Sequence, residues 1–185
     1  MSFQGFEIDP FYWQLCRWFT AGIFALALTH KLGSLAAFES AVRGYELVPT
    51  RLAPAASRLI VLLEAGVVIG LAGGIGLPGA AALAAVLLAI YASAMAINLA
   101  RGRRHIDCGC FGPAAEAGHT LSGGLLLRNA VLILVSASLL FPAAERALTW
   151  LDVAGIAAAT AAGLALYAAT DQLLANAPRL RELMQ

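Results

Sequence analysis

Five stretches of about 20 residues with few charges, at 11–32, 57–77, 79–99, 121–142 and 148–171, limit what this chain can fold into more than any other feature. A helix rises about 1.5 Å per residue, so each stretch matches the roughly 30 Å hydrocarbon core of a bilayer. Composition argues against five helices buried in a water-soluble protein: of 185 residues, 61% are hydrophobic and 12% charged, and the mean hydropathy is +0.80. Soluble domains carry about 25% charged residues, and the polar surface here is too small to cover a wetted exterior. A water-soluble enzyme is therefore excluded. The expected fold is all-α, a polytopic membrane helix bundle of about five transmembrane helices forming one domain over residues 1–185. Twelve Lys and Arg against eleven Asp and Glu give a net charge of +1, with no basic excess for nucleic acid. The lipid bilayer is the expected partner.

The first stretch has an uncharged centre running from Trp18 to His30, and it spans if Arg17 and Lys31 snorkel outward. Acidic Glu7 and Asp9 precede it where a signal peptide would be basic, so it is expected to remain in the mature protein. Gly73, Gly74, Gly76, Pro78 and Gly79 predict a tight hairpin between the second and third spans. In the connection 33–56, Leu35, Phe38, Val42 and Tyr45 share one helical face, which predicts an interfacial or re-entrant helix over about 34–48, stopped by Pro49 and Pro54. Tyr12, Trp13, Trp18 and Trp150 read as belt residues at the opposite interface. Five spans put the termini on opposite sides. Arg17 and Arg146 then fall on one side and the other ten basic residues on the second, so the N-terminus is expected outside and the C-terminus in the cytoplasm.

Ionisable and amide groups inside a membrane are costly, and each is a candidate for function. Lys31 ends the first span, Glu64 lies inside the second, Asn98 and Arg101 close the third, and Arg128 and Asn129 fall in the first turns of the fourth. All six belong to the same half of the bilayer and form the predicted supporting polar site. Five of them also have a plain structural reading: Lys31 as an anchor, Glu64 as a partner of Lys31 or an arginine, Arg101 as a topology determinant, and Arg128 and Asn129 as caps.

The loop at 100–120 opens on that half and carries His105-Ile106-Asp107-Cys108-Gly109-Cys110-Phe111-Gly112-Pro113. Two thiols separated by one glycine can close a small disulfide ring, and the strain of so short a ring makes the bond easy to reduce. Arg103, Arg104 and His105 favour the thiolate, while Asp107 opposes it or accepts its proton. Thiol–disulfide exchange through Cys108 and Cys110, with Asp107 in support, is the leading reading of these residues. A tetrahedral metal site of His105, Cys108, Cys110 and His119 is the alternative, although one residue between thiolates is not the usual zinc spacing, and two buried thiols in a glycine turn is the third reading. The remaining thiol, Cys16, sits near the outer end of the first span and reads as a packing residue.

Taken together, these residues resemble the MauE/DoxX family of redox-associated membrane proteins, and within it the MauE group of methylamine utilisation. The resemblance covers roughly 18–140 and rests on Gly22, Lys31, Phe38, Tyr45, Pro49, Glu64, Gly70, Asn98, Arg101 and Gly102, on Asp107-Cys108-Gly109-Cys110-Phe111-Gly112, and on Arg128-Asn129. It implies a four-helix DoxX-like core, with a fifth span as expected of MauE. It also implies a role in forming the disulfides, and securing the stability, of the methylamine dehydrogenase small subunit, whose periplasmic maturation involves a thioredoxin-like partner, MauD. Residence in the bacterial inner membrane follows. The same four-helix architecture is similar to that of quinone-linked membrane thiol oxidoreductases, which leaves room for a quinone as cofactor. The alternative is a non-catalytic membrane scaffold or metal-binding accessory in the same pathway.

Overall fold

Helix formation begins where the sequence supplies a cap. The Asp9 carboxylate accepts from the Phe11 amide at 2.8 Å, and Pro10, with its φ preset for a helix, opens α1 (Pro10–Gly33). The computed structural model describes residues 7–103 and 123–183, with side chains described as far as residue 174. After α1 the chain turns by 101° into α2 (Leu35–Gly44), passes a short 3₁₀ turn at Thr50–Leu52, and continues as α3 (Ala53–Gly73), α4 (Leu77–Ala100), α5 (Gly123–Ser138) and α6 (Trp150–Leu183). Among the described residues no regular strand occurs; Ile8 and Ala143 make one isolated bridge.

The bundle is that of a multi-pass membrane protein. By length and composition, Thr50–Gly73, Leu77–Ala100 and Trp150–Leu174 each suffice to cross a bilayer, and the bent pair α1 and α2 passes as a fourth span. The predicted span 121–142 is represented by α5, whose 16 residues reach about 24 Å. Outward faces are apolar, with Leu62 and Ile69 on α3, Ile90 on α4, Leu134 on α5 and Leu166 on α6 all exposed, as lipid contact requires.

Prolines shift two predicted boundaries. Pro54 lies in the first turn of α3 instead of stopping the chain before it, and Pro78 likewise belongs to the first turn of α4, because a proline there forfeits no helical hydrogen bond. The hairpin turn is thus shorter than predicted. It comprises residues 74–76, with Gly74 and Gly76 at φ +73° and +58° and the Ile75 amide returning to Gly70 O at 3.0 Å.

Packing sets the depth of the polar residues. The core joins Phe24 of α1, Val67 and Leu71 of α3, Ala81, Ala84 and Leu87 of α4, Leu132 of α5 and Tyr167 of α6, with Cys16 packed against it as expected. Helix α1 contacts α2, α3, α5 and α6, so it is the hub of the bundle. Arg17 does not snorkel outward as expected. Its guanidinium donates to Leu71 O at 2.6 Å and Ala72 O at 3.2 Å, capping the C-terminal carbonyls of α3. The Trp13 indole donates to Phe141 O at 3.2 Å, and the Ile8 amide to Pro142 O at 3.0 Å. One end of the bundle therefore gathers the start of α1, the 74–76 turn and the α5–α6 connection, the grouping on which the charge argument depends.

Candidate functional site

Lys31 stands near the end of α1, where an anchoring lysine would reach outward. Lys31 is instead buried, 3% exposed. Its ammonium forms an ion pair with Glu64, a residue that is 0% exposed. Since α3 begins at Ala53, Glu64 is eleven residues, or about 16 Å, along its helix, deeper than a start at residue 57 implied. Low dielectric at this depth forces both charges to find partners.

Aromatic side chains complete the pair. The Tyr91 hydroxyl of α4 donates to Glu64 Oε1 at 2.7 Å, and Lys31 Nζ lies 3.4 Å from that hydroxyl. The ammonium also sits 4.7 Å from the Phe38 ring centroid and 4.9 Å from that of Tyr91. Helices α1, α2, α3 and α4 thus meet at one cation. Glu64 Oε2 is buried and has no hydrogen-bond partner among the described residues.

Glu64 lines a cavity of about 20 Å³, room for one water, together with Lys31, Tyr91, Arg128, Asn129 and Tyr167. On its far wall a second ion pair joins Arg128 of α5 to Asp171 of α6, with the guanidinium 5.1 Å from the Tyr167 ring centroid. Asn129 is buried, donating to Leu125 O at 3.2 Å. Four of the six predicted supporting residues, Lys31, Glu64, Arg128 and Asn129, therefore converge on one small cavity.

The other two do not line it. Asn98 is fully buried and donates to Tyr45 O at 3.2 Å and Ala94 O at 3.1 Å, which ties α2 to the end of α4. Arg101 is exposed at the C-cap of α4. Arg103 pairs with Glu46 beyond α2, and its amide donates to Asn98 O at 3.0 Å. Asp107, Cys108 and Cys110, and with them His105 and His119 of the alternative metal set, lie outside the described residues.

Tyr91, Tyr167 and Asp171 were not anticipated as site residues. A tyrosine inside an apolar span reads as packing, and Asp171 falls at the edge of the predicted fifth span. The available signal was charge balance: Arg128 needs a carboxylate in its own half of the membrane, and Asp171 is the acidic residue of α6 that reaches it, one turn from Tyr167.

Beside Lys31 and Tyr91 a larger pocket of about 180 Å³ opens between α2, α3 and α4. Its wall is apolar apart from Lys31, Tyr91 and Tyr45, with Phe38, Val42, Ile60, Ile90, Ala94 and Met95 among the lining residues. Lys31 and Tyr91 line both spaces and form the partition between them, while Glu64 lines only the smaller one.

The family model described as methylamine utilisation protein MauE matches residues 9–142, which include the whole buried pair, the Cys108–Cys110 segment and α5. The methylamine utilization protein MauE of Paracoccus denitrificans is 37% identical over 128 residues, covering 69% of this chain and 67% of its own length. That of Paracoccus versutus is 35% identical over 136 residues, 72% of each chain. That of Methylorubrum extorquens is 36% identical over 164 residues, 88% of this chain and 87% of its own. No solved structure matches significantly. A polytopic helical fold, a model match over most of its length and relatives of this similarity together establish that the chain belongs to the MauE family of methylamine utilisation proteins.

Proposed function

We propose that this chain is an inner-membrane thiol–disulfide redox protein that matures the small subunit of methylamine dehydrogenase, exchanging electrons through Cys108 and Cys110 with a thioredoxin-like, MauD-like periplasmic partner. The observation that carries the reading is a Cys-Gly-Cys pair, flanked by Asp107, on the segment that joins α4 to α5 in a methylamine utilisation protein. Buried polar groups bracket that segment, with Asn98 before it and Arg128 and Asn129 after it.

In the exchange, the two thiols become a disulfide as a partner's disulfide opens to two thiols, or the reverse. Two electrons and two protons move together, and Asp107 takes the proton of the attacking thiol. With ten basic residues on its side, the pair belongs to the cytoplasmic end and the N-terminus is periplasmic, so the exchange with the partner runs across the membrane.

The test is a Cys108→Ser, Cys110→Ser double variant expressed in place of the wild-type chain during growth on methylamine. The reading predicts that the small subunit fails to accumulate with native disulfides. Full accumulation would instead make the chain a non-catalytic scaffold for the same maturation.

A further inference from the structure

We propose that the 180 Å³ pocket between α2, α3 and α4 binds the headgroup of a membrane quinone, a flat single ring carrying carbonyl oxygens. The inference rests on the redox reading above and names the class of its second electron partner.

Size comes first. An engineered apolar cavity of about 150 Å³ holds benzene, so a pocket of about 180 Å³ accepts one substituted six-membered ring. Ile90, near the middle of α4, is 52% exposed and lines the pocket, so its mouth faces the lipid from which such a ligand arrives.

Charge selects the class. The Lys31 ammonium is neutralised by Glu64, so an anionic ligand would leave a buried net negative charge, whereas a neutral acceptor leaves the balance intact. Two of the three Lys31 N–H donors have named acceptors, Glu64 Oε1 and the Tyr91 oxygen, which leaves one for a ring carbonyl. Phe38 and Tyr91 present aromatic faces within 5 Å of Nζ, against which a flat ring stacks while its oxygen meets the ammonium. A lipid acyl chain would leave that buried donor unused.

The partition supplies protons. The water-sized cavity that Lys31 and Tyr91 also line is bounded by Glu64, whose Oε2 has no hydrogen-bond partner among the described residues, and Tyr91 already donates to the same carboxylate. The balanced exchange is dithiol plus quinone giving disulfide plus quinol, with two electrons and two protons transferred; Tyr91, which lines the pocket and donates to Glu64, is placed to pass a proton between the ring and that carboxylate.

The experiment is calorimetric titration of the full-length protein, in quinone-free lipid nanodiscs, with decylubiquinone. Saturable binding at one site is expected. Ala94→Leu fills the pocket and should weaken it at least about tenfold; Tyr91→Phe, which keeps the ring and loses only the hydroxyl, should weaken it about fivefold. Decane should not compete. The Cys108→Ser, Cys110→Ser variant should bind as wild type, because among the described residues no thiol lines the pocket. Absence of saturable binding, wild-type affinity in Ala94→Leu, or displacement by decane, the mark of an acyl-chain groove, would overturn the proposal. If binding fails while the double-cysteine variant still blocks client maturation, only the quinone site falls; if binding holds while the client matures without the cysteines, only the redox reading falls.

Discussion

Lys31 and Glu64 share one buried interaction, and the cost of breaking it differs from the cost of removing it. Lys31→Met strands the Glu64 carboxylate and should destabilise the protein by about 3 kcal/mol, while adding Glu64→Gln should restore part of that loss. Unfolding of the four members of this cycle in mixed micelles measures the coupling; strict additivity would mean that the two side chains do not interact. At the other end of the bundle, Arg146 donates to Asp9 at 3.1 Å and to Asp152 at 3.0 Å. The hydrogen bond from Arg146, followed by that from the Phe11 amide, holds the Asp9 carboxyl below its ordinary value of 3.8. A carboxyl lowered in the folded state contributes stability above its unfolded value and loses it as pH falls through the folded one. Asp9→Asn should therefore lower the melting temperature slightly at neutral pH, and its difference from wild type should vanish in strong acid. A difference that persists there would assign the effect to something other than this charge.

At the scale of elements, small residues set how closely helices approach. A Cβ on Gly70 would lie 2.6 Å from Ala80 Cβ and 3.2 Å from the Ile75 carbonyl oxygen, both held by the α3–α4 hairpin. Gly70→Ala should then destabilise by about 2 kcal/mol. A Cβ on Gly22 would meet Leu164 Cδ1 at 2.7 Å, the end of a flexible side chain that can rotate away, so Gly22→Ala should cost less than half as much. Thermal unfolding of both variants in one detergent checks the order, and equal losses would contradict it. The elements themselves were legible: α1 lies within two residues of its predicted span, and a helix does follow it within the predicted 34–48 region. What periodicity could not show was the 101° turn that folds α2 back over α3, because an amphipathic face specifies that a helix is half buried and not what it is buried against. Phe38 and Tyr45 are on that face as predicted, yet their use, one ring on Lys31 and one carbonyl for Asn98, depends on the turn.

For the whole molecule, uncharged stretches were sufficient to read a polytopic bundle, since the bilayer imposes them. The convergence of Lys31, Glu64, Arg128 and Asn129 was legible for the same reason, because buried ionisable groups must meet. Tyr91, Tyr167 and Asp171 were not, since nothing in one sequence says which neutral or boundary residue a neighbouring helix will bring to the charge. The account also predicts sidedness: a reporter protein fused after Gln185 should be active only if it works in the cytoplasm, and a periplasmic reporter active at that position would reverse the orientation. The central claim, that Cys108 and Cys110 form a working redox pair, is tested most directly by trapping their state in cells growing on methylamine, with acid quenching and a mass-tagging maleimide before and after reduction. The account predicts a fraction in which the pair escapes tagging until reduced, and a change in that fraction when the thioredoxin-like partner is deleted. Two thiols that are tagged in every condition, with or without the partner, would contradict it.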